Sequence, residues 1–176
     1  TITASITWTR SGTNSPVQTN LTQKLTAGTY MGASVCALCH SGGLLADNIY
    51  EPYSHTLHAR AFKDAIDGVS TDHFNKNCIS CHAVGFDANT NSANGGFDDV
   101  AAQTGWQFPT TLTNGNWAAM PPALQNVSNV QCENCHGPGS EHANAFGNTN
   151  AANWPRLAVT LATGNCAQCH DSLTHH

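Results

Sequence analysis

The chain has 176 residues, of which 10 % are charged, with six Lys plus Arg against eleven Asp plus Glu and a net charge of −5. Six basic residues cannot form the positive face that nucleic-acid binding requires, and no apolar run approaches the 18 or so residues that cross a bilayer. Fifteen Gly and seven Pro, with abundant Asn, Thr and Ser, punctuate the sequence. Short helices joined by much irregular structure are therefore expected.

In chain order, Ile2–Thr9 alternates apolar and polar residues and is rich in β-branched side chains, which predicts a strand. Arg10–Asn14 reads as a turn and Val17–Leu25 as a second strand. A lone two-stranded hairpin is marginal in water, so residues 1–30 are expected to dock on the rest of the chain or on another chain. Residues 31–176 form the second unit. Pro52–Ile66 is the strongest helix candidate, because Pro52 suits a first helical turn, and His55 and His58 would then share a face at i and i+3. Asp87–Gly96 and Asn144–Trp154 read as Asn-rich loops and Asp98-Asp99 as solvated loop charge. Residues 98–127, with turn signals at Asn114-Gly115 and Pro121-Pro122, read as a surface excursion.

All eight cysteines fall into four copies of Cys-x-x-Cys-His: Cys36/Cys39/His40, Cys78/Cys81/His82, Cys132/Cys135/His136 and Cys166/Cys169/His170. A lone Cys-x-x-Cys would equally suit a zinc knuckle or a thiol redox pair. His in the fifth position four times out of four is the attachment signal of c-type haem, with two thioether links per porphyrin and the adjacent His as proximal iron ligand. Short helices are expected to carry each motif. Four haems on a chain of this length leave about 44 residues per haem, too few for a separate large apolar core. The porphyrin faces are expected to serve as core, giving a mostly irregular fold of short α-helices wrapped around four haems, with a small N-terminal β-hairpin. Haem attachment of this kind takes place outside the bacterial cytoplasm, and the chain does not begin with Met, so it reads as a processed, exported protein.

Ten His less four proximal His leave His55, His58, His73, His142, His175 and His176 for four distal positions. This surplus favours bis-His ligation throughout and low potentials relative to His/Met haems. Two His three apart cannot flank one iron, so His55 and His58 are read as ligands of two neighbouring irons. His142 and His176 each lie six residues beyond a proximal His, a reach of at most roughly 20 Å, and each is expected to ligate another haem. His175 competes with His176, and His73 is a reserve. Met31 and Met120 read as packing residues. No Ser-His-Asp or paired-carboxylate arrangement stands out.

Three stretches carry a family resemblance: Tyr30–Ser34 with Tyr53–Phe62, Cys78–Phe86 with Gly95-Gly96-Phe97, and Val130–His142 with its Gly137-Pro138-Gly139-Ser140-Glu141-His142 run. Over roughly residues 30–170 they resemble cytochrome c-554-like multihaem proteins. The resemblance implies that His142 and His58 are distal ligands. Family members usually supply a further distal His between the second and third motifs, and residues 83–131 contain none. That haem needs a His from elsewhere: His55, His73 or another chain. The β-rich start and low charge are similar to the polymerising tetrahaem outer-surface cytochromes of the OmcE type, which implies a homopolymeric conductive filament outside the cell. Its partners would be further copies, other redox proteins or an extracellular electron acceptor. A soluble periplasmic electron carrier is the alternative. A reductase of a small nitrogen oxide is a third reading, disfavoured because it needs an open iron, which the His surplus argues against.

Overall fold

The computed structural model describes residues 2–9, 16–23, 28–43, 45–69, 73–87, 93–146 and 166–170. The β-branched stretches near the start form β1 (Ile2–Thr9) and β2 (Pro16–Gln23), paired antiparallel with Ile2 opposite Gln23 and Thr9 opposite Pro16. β2 opens on Pro16, where a missing N–H is tolerated at a strand end. The expected turn at Arg10–Asn14 and the end of the second strand at Leu25 lie outside the described residues.

Nine short α-helices follow among the described residues: α1 (Ala33–His40), α2 (Tyr50–Ser54), α3 (Ala61–Ile66), α4 (Ile79–His82), α5 (Phe97–Thr104), α6 (Asn116–Ala119), α7 (Pro122–Asn126), α8 (Cys132–His136) and α9 (Ser140–Asn144). Their boundaries follow the punctuation in the sequence. Gly105 ends α5 in the left-handed region that glycine adopts at helix ends, and Pro122 opens α7. The Gln131 and Asn134 side chains form a reciprocal capping box at the start of α8. Irregular segments join these helices, as the composition leads one to expect.

The single helix expected over Pro52–Ile66 is instead three pieces: α2, a 3₁₀ turn at His58–Arg60, and α3. Ser54 and Thr56 hydroxyls donate back to the carbonyls of Glu51 and Tyr53 at 2.7 and 2.8 Å, a local competition that ends helices. The break frees the chain to turn and dock. Val130 N–H then donates to the His58 carbonyl at 3.1 Å. Asn129 Oδ1 accepts from the N–H groups of Phe62 and Lys63 at 3.0 and 3.1 Å, capping α3 from outside.

Two expectations about packing need correction. Residues 98–127 are not a surface excursion. Phe97, Met120, Leu124 and Val127 are buried in one cluster with Phe62, Ala65, Ile66, Phe74, Ile79, Ala83 and Val84, while Trp106, Phe108, Leu112 and Trp117 pack against it. Polypeptide thus builds a small apolar core of its own. Its aromatic rings meet edge-on or tilted, with Phe62–Phe74 centres 5.4 Å apart and Phe97–Trp106 centres 5.6 Å apart, geometries that add to plain burial. Asp98 and Asp99 are not loop charges either. Both sit in the first turn of α5, where Asp98 accepts from Asp87 N–H at 3.0 Å and Asp99 from Asn94 and Gly95 N–H at 2.6 and 2.9 Å. Carboxylates at a helix start are favoured by its dipole.

Candidate haem centres

Each of the first three motifs ends a short helix on its His: His40 closes α1, His82 closes α4 and His136 closes α8. In the fourth, the Cys166 carbonyl accepts from Cys169 and His170 N–H at 3.2 and 2.8 Å, which is one helical turn. Cysteines at i and i+3 on such a turn project from one face, as two thioether links to one porphyrin edge require. Cys36 and Cys39 share α1 in this way, and Cys132 and Cys135 share α8.

The motifs also meet one another. α1 lies against α8, which brings the Cys36 and Cys132 thiols together. The nearby Cys132 thiol, then burial, pushes Cys36 upward, and the nearby Cys36 thiol lowers Cys132 to about 7. Cys169 is raised to about 12, first by burial and then by its bond with the Cys81 thiol, while Cys81 Sγ also lies 3.8 Å from the Gln168 carbonyl. The attachment points of the first and third motifs are therefore neighbours, and so are those of the second and fourth.

The second cysteines of the first and third motifs do not join these thiol pairs. Cys39 is half-buried three residues beyond Cys36, which carries the contact to α8. Cys135 is exposed, and its charge is the last of the causes that raise Cys169. In α1 and α8 it is the first cysteine of each pair that meets the neighbouring motif. The roles of Cys39 and Cys135 as porphyrin links therefore rest on the motif and on their place beside Cys36 and Cys132, not on a contact between motifs. Cys78 packs against the apolar core, and Cys166 is exposed.

Two pairs of histidine rings face each other. The rings of His40 and His142 have centres 6.3 Å apart and planes 25° apart. Those of His58 and His170 have centres 5.9 Å apart and planes 47° apart. Two imidazoles bound to opposite sides of one metal ion, each through a bond of about 2.0–2.1 Å, have ring centres about 6 Å apart. Both pairs fit that spacing, and both join a motif His to a distal candidate remote from it in sequence. His82 sits edge-on to the buried ring of Phe74, with centres 5.2 Å apart, which seats the second motif on the apolar core.

The other candidates are placed differently. His55 and His58 do not share a helix face, since His55 caps the end of α2 and His58 opens the 3₁₀ turn. The His55 side chain is 74 % exposed, with Nε2 2.9 Å from Glu51 Oε1. His73 is exposed, and its carbonyl accepts from Asn75 Nδ2 at 3.1 Å. His175 and His176 lie outside the described residues. Met120 is buried in the core, a packing residue.

A run of polar side chains that the motif reading passes over holds these parts in place. Gln131 Oε1 accepts from Ala33 N–H at 2.6 Å, fixing the start of α1. Asn134 Nδ2 donates to the Ala83 carbonyl at 2.8 Å, next to His82. Tyr53 O–H donates to the Val130 carbonyl at 3.1 Å. Glu133 is 2 % exposed, and its carboxylate accepts from Met31, Gly32 and Gly139 N–H. The third motif and the residues just before it thus bond to α1, to the residue after α4, to the His58 turn and to the approach to α9. The only sequence signal is an unusual density of amide and carboxylate side chains around one Cys-x-x-Cys-His.

Residues 35–105 match the family described as cytochrome c554 and c-prime. No curated protein and no solved structure matches the chain. The matched stretch contains the first two Cys-x-x-Cys-His motifs and the candidate ligands His55, His58 and His73. It supports a c-type cytochrome of cytochrome c-554-like kind, with covalently bound haem c and electron transport as its role. Among the described residues no helix is long and apolar enough to cross a membrane.

Proposed function

We propose that the chain conducts electrons through four covalently attached c-type haems, each held between two His, and that it does so as the subunit of an extracellular filament. The observation that carries the ligation reading is the opposed spacing of His40 with His142 and of His58 with His170. In this reading Cys36 with Cys39, Cys78 with Cys81, Cys132 with Cys135 and Cys166 with Cys169 each hold one porphyrin. The four motif His are proximal ligands, and His142 and His58 are distal ligands of the first and fourth irons. Haem supplies the one-electron chemistry. The polypeptide sets spacing and closes the irons to exogenous ligands, so no catalytic step is assigned. Thiol contacts between the first and third motifs, and between the second and fourth, favour porphyrin edges close enough to form a relay.

Two features favour a filament over a separate carrier. β1 and β2 pair only with each other among the described residues, and an unpaired strand edge is a ready template for another chain. No His lies between the second and third motifs, while His55 is exposed on the surface. His55 then completes an iron of the next subunit.

His142→Ala and His58→Ala test the ligand assignments. Each is expected to convert one iron from low to high spin in the oxidised protein, read by electron paramagnetic resonance (EPR), with the other irons unchanged. An unaltered spectrum in either variant contradicts that assignment.

A further inference from the structure

We propose that Glu133 is the positioning residue that sets the His40–His142 spacing, acting through the backbone that carries the two rings. The inference rests on reading those two His as the axial pair of one iron. His40 ends α1 and His142 lies on α9, elements far apart in sequence. Both are tied to one buried carboxylate. Glu133 Oε2 accepts from Gly32 N–H at 2.7 Å and from Met31 N–H at 3.0 Å, and Oε1 accepts from Met31 N–H at 3.2 Å, so the chain entering α1 is fixed. Oε1 also accepts from Gly139 N–H at 2.7 Å, one residue before α9. The Gly32 and Gly139 bonds to this carboxylate are buried, so an N–H released there loses its partner without gaining water.

Bonds between backbone N–H groups and a carboxylate are about twice as strong as neutral ones. They are also demanding in chemistry, because all three donors need an acceptor oxygen and only a carboxylate presents acceptors on both sides. A second tether exists. Thr29 N–H donates to Ser140 Oγ at 2.9 Å and Ser140 N–H to the Thr29 carbonyl at 3.2 Å. That exchange joins α9 to the strand of chain before Met31 but leaves α8 out. Glu133 alone among these groups connects α1, α8 and α9 at one point.

Glu133→Gln keeps size and shape but turns one acceptor oxygen into an NH₂ donor. Either Gly139 or the Met31–Gly32 pair then faces a donor instead of an acceptor. The haem-loaded Gln variant is expected to show altered low-spin g-values, or conversion to high spin, at the one iron that His142→Ala also affects, with the remaining irons as in the wild type. Glu133→Asp, one methylene too short to reach both sides, is expected to perturb the same iron. Wild-type spectra in both variants overturn the proposal. So does a perturbation at a different iron, or loss of haem from every site in both, which would make Glu133 a general folding residue. If His142→Ala itself changes no iron, the ligand reading fails. If it changes one iron and the Glu133 variants change none, the ligand reading stands and the positioning role fails.

Discussion

Asn129 has the left-handed backbone, φ 71°, that glycine ordinarily supplies, and is the one non-glycine residue to do so among the described residues. Asn tolerates that region better than most side chains. Here the conformation also aims Oδ1 at two backbone donors of α3. Asn129→Ala removes both bonds and keeps the unfavourable φ, so a loss of about 2–3 kcal/mol in chemical denaturation of the holoprotein is expected. Asn129→Gly relieves φ and should cost about 1 kcal/mol less. A loss below about 0.5 kcal/mol for the Ala variant would show that the cap is dispensable, since that is the range of ordinary surface substitutions. Gly32 is constrained in the other sense: at φ 82° a Cβ would collide with the Asn126 amide and carbonyl. The buried frame of Asn129, Gln131 and Glu133 therefore depends on residue types that no neighbour could replace in kind.

At the level of elements, the second motif docks by backbone pairing. Val84 N–H donates to the Val127 carbonyl and Phe97 N–H to the Val84 carbonyl, at 2.8 and 2.9 Å. The loop-rich stretch after it folds back to complete the core, with Leu124 fully buried. Leu124→Ala is expected to cost about 2–5 kcal/mol, read from the denaturation midpoint. A cost near zero would restore the surface-excursion reading. What the sequence made legible is what adjacent residues encode: the Cys-x-x-Cys-His motifs, the short helices that carry them, and the β-branched strands. His142 and His58 were named as distal candidates through the family resemblance. Their partners were not, because these depend on contacts such as Glu133 to Gly32 and Val130 to His58, which join distant parts of the chain. Nor could the four motifs, alike in sequence, reveal that Cys36 and Cys132 meet across α1 and α8 while Cys39 and Cys135 do not. The Pro52–Ile66 helix failed for a local reason, since the Ser54 and Thr56 hydroxyls compete with the helical bonds and end α2. Residues 98–127 misled because Gly and Pro turn signals mark direction changes, and say nothing of whether the turns pack inward.

For the whole molecule, the proposed filament draws on low charge, paired strands and an exposed His55. The Glu51–His55 contact is an exposed i,i+4 pair, worth only a few tenths of a kcal/mol, so His55→Ala should leave the isolated subunit's stability and iron spectra intact. In the polymer it should convert one iron per subunit to high spin. Negative-stain microscopy of concentrated native protein is expected to show filaments, and particles alone would refute the filament. The wider account stands or falls on iron coordination. EPR of the oxidised, haem-loaded assembly, integrated against protein concentration, measures it directly. Four low-spin irons per chain, with no high-spin signal and no CO binding on reduction, is the expected result. Fewer than four irons, or a high-spin iron that binds CO, would contradict a closed, bis-His electron relay.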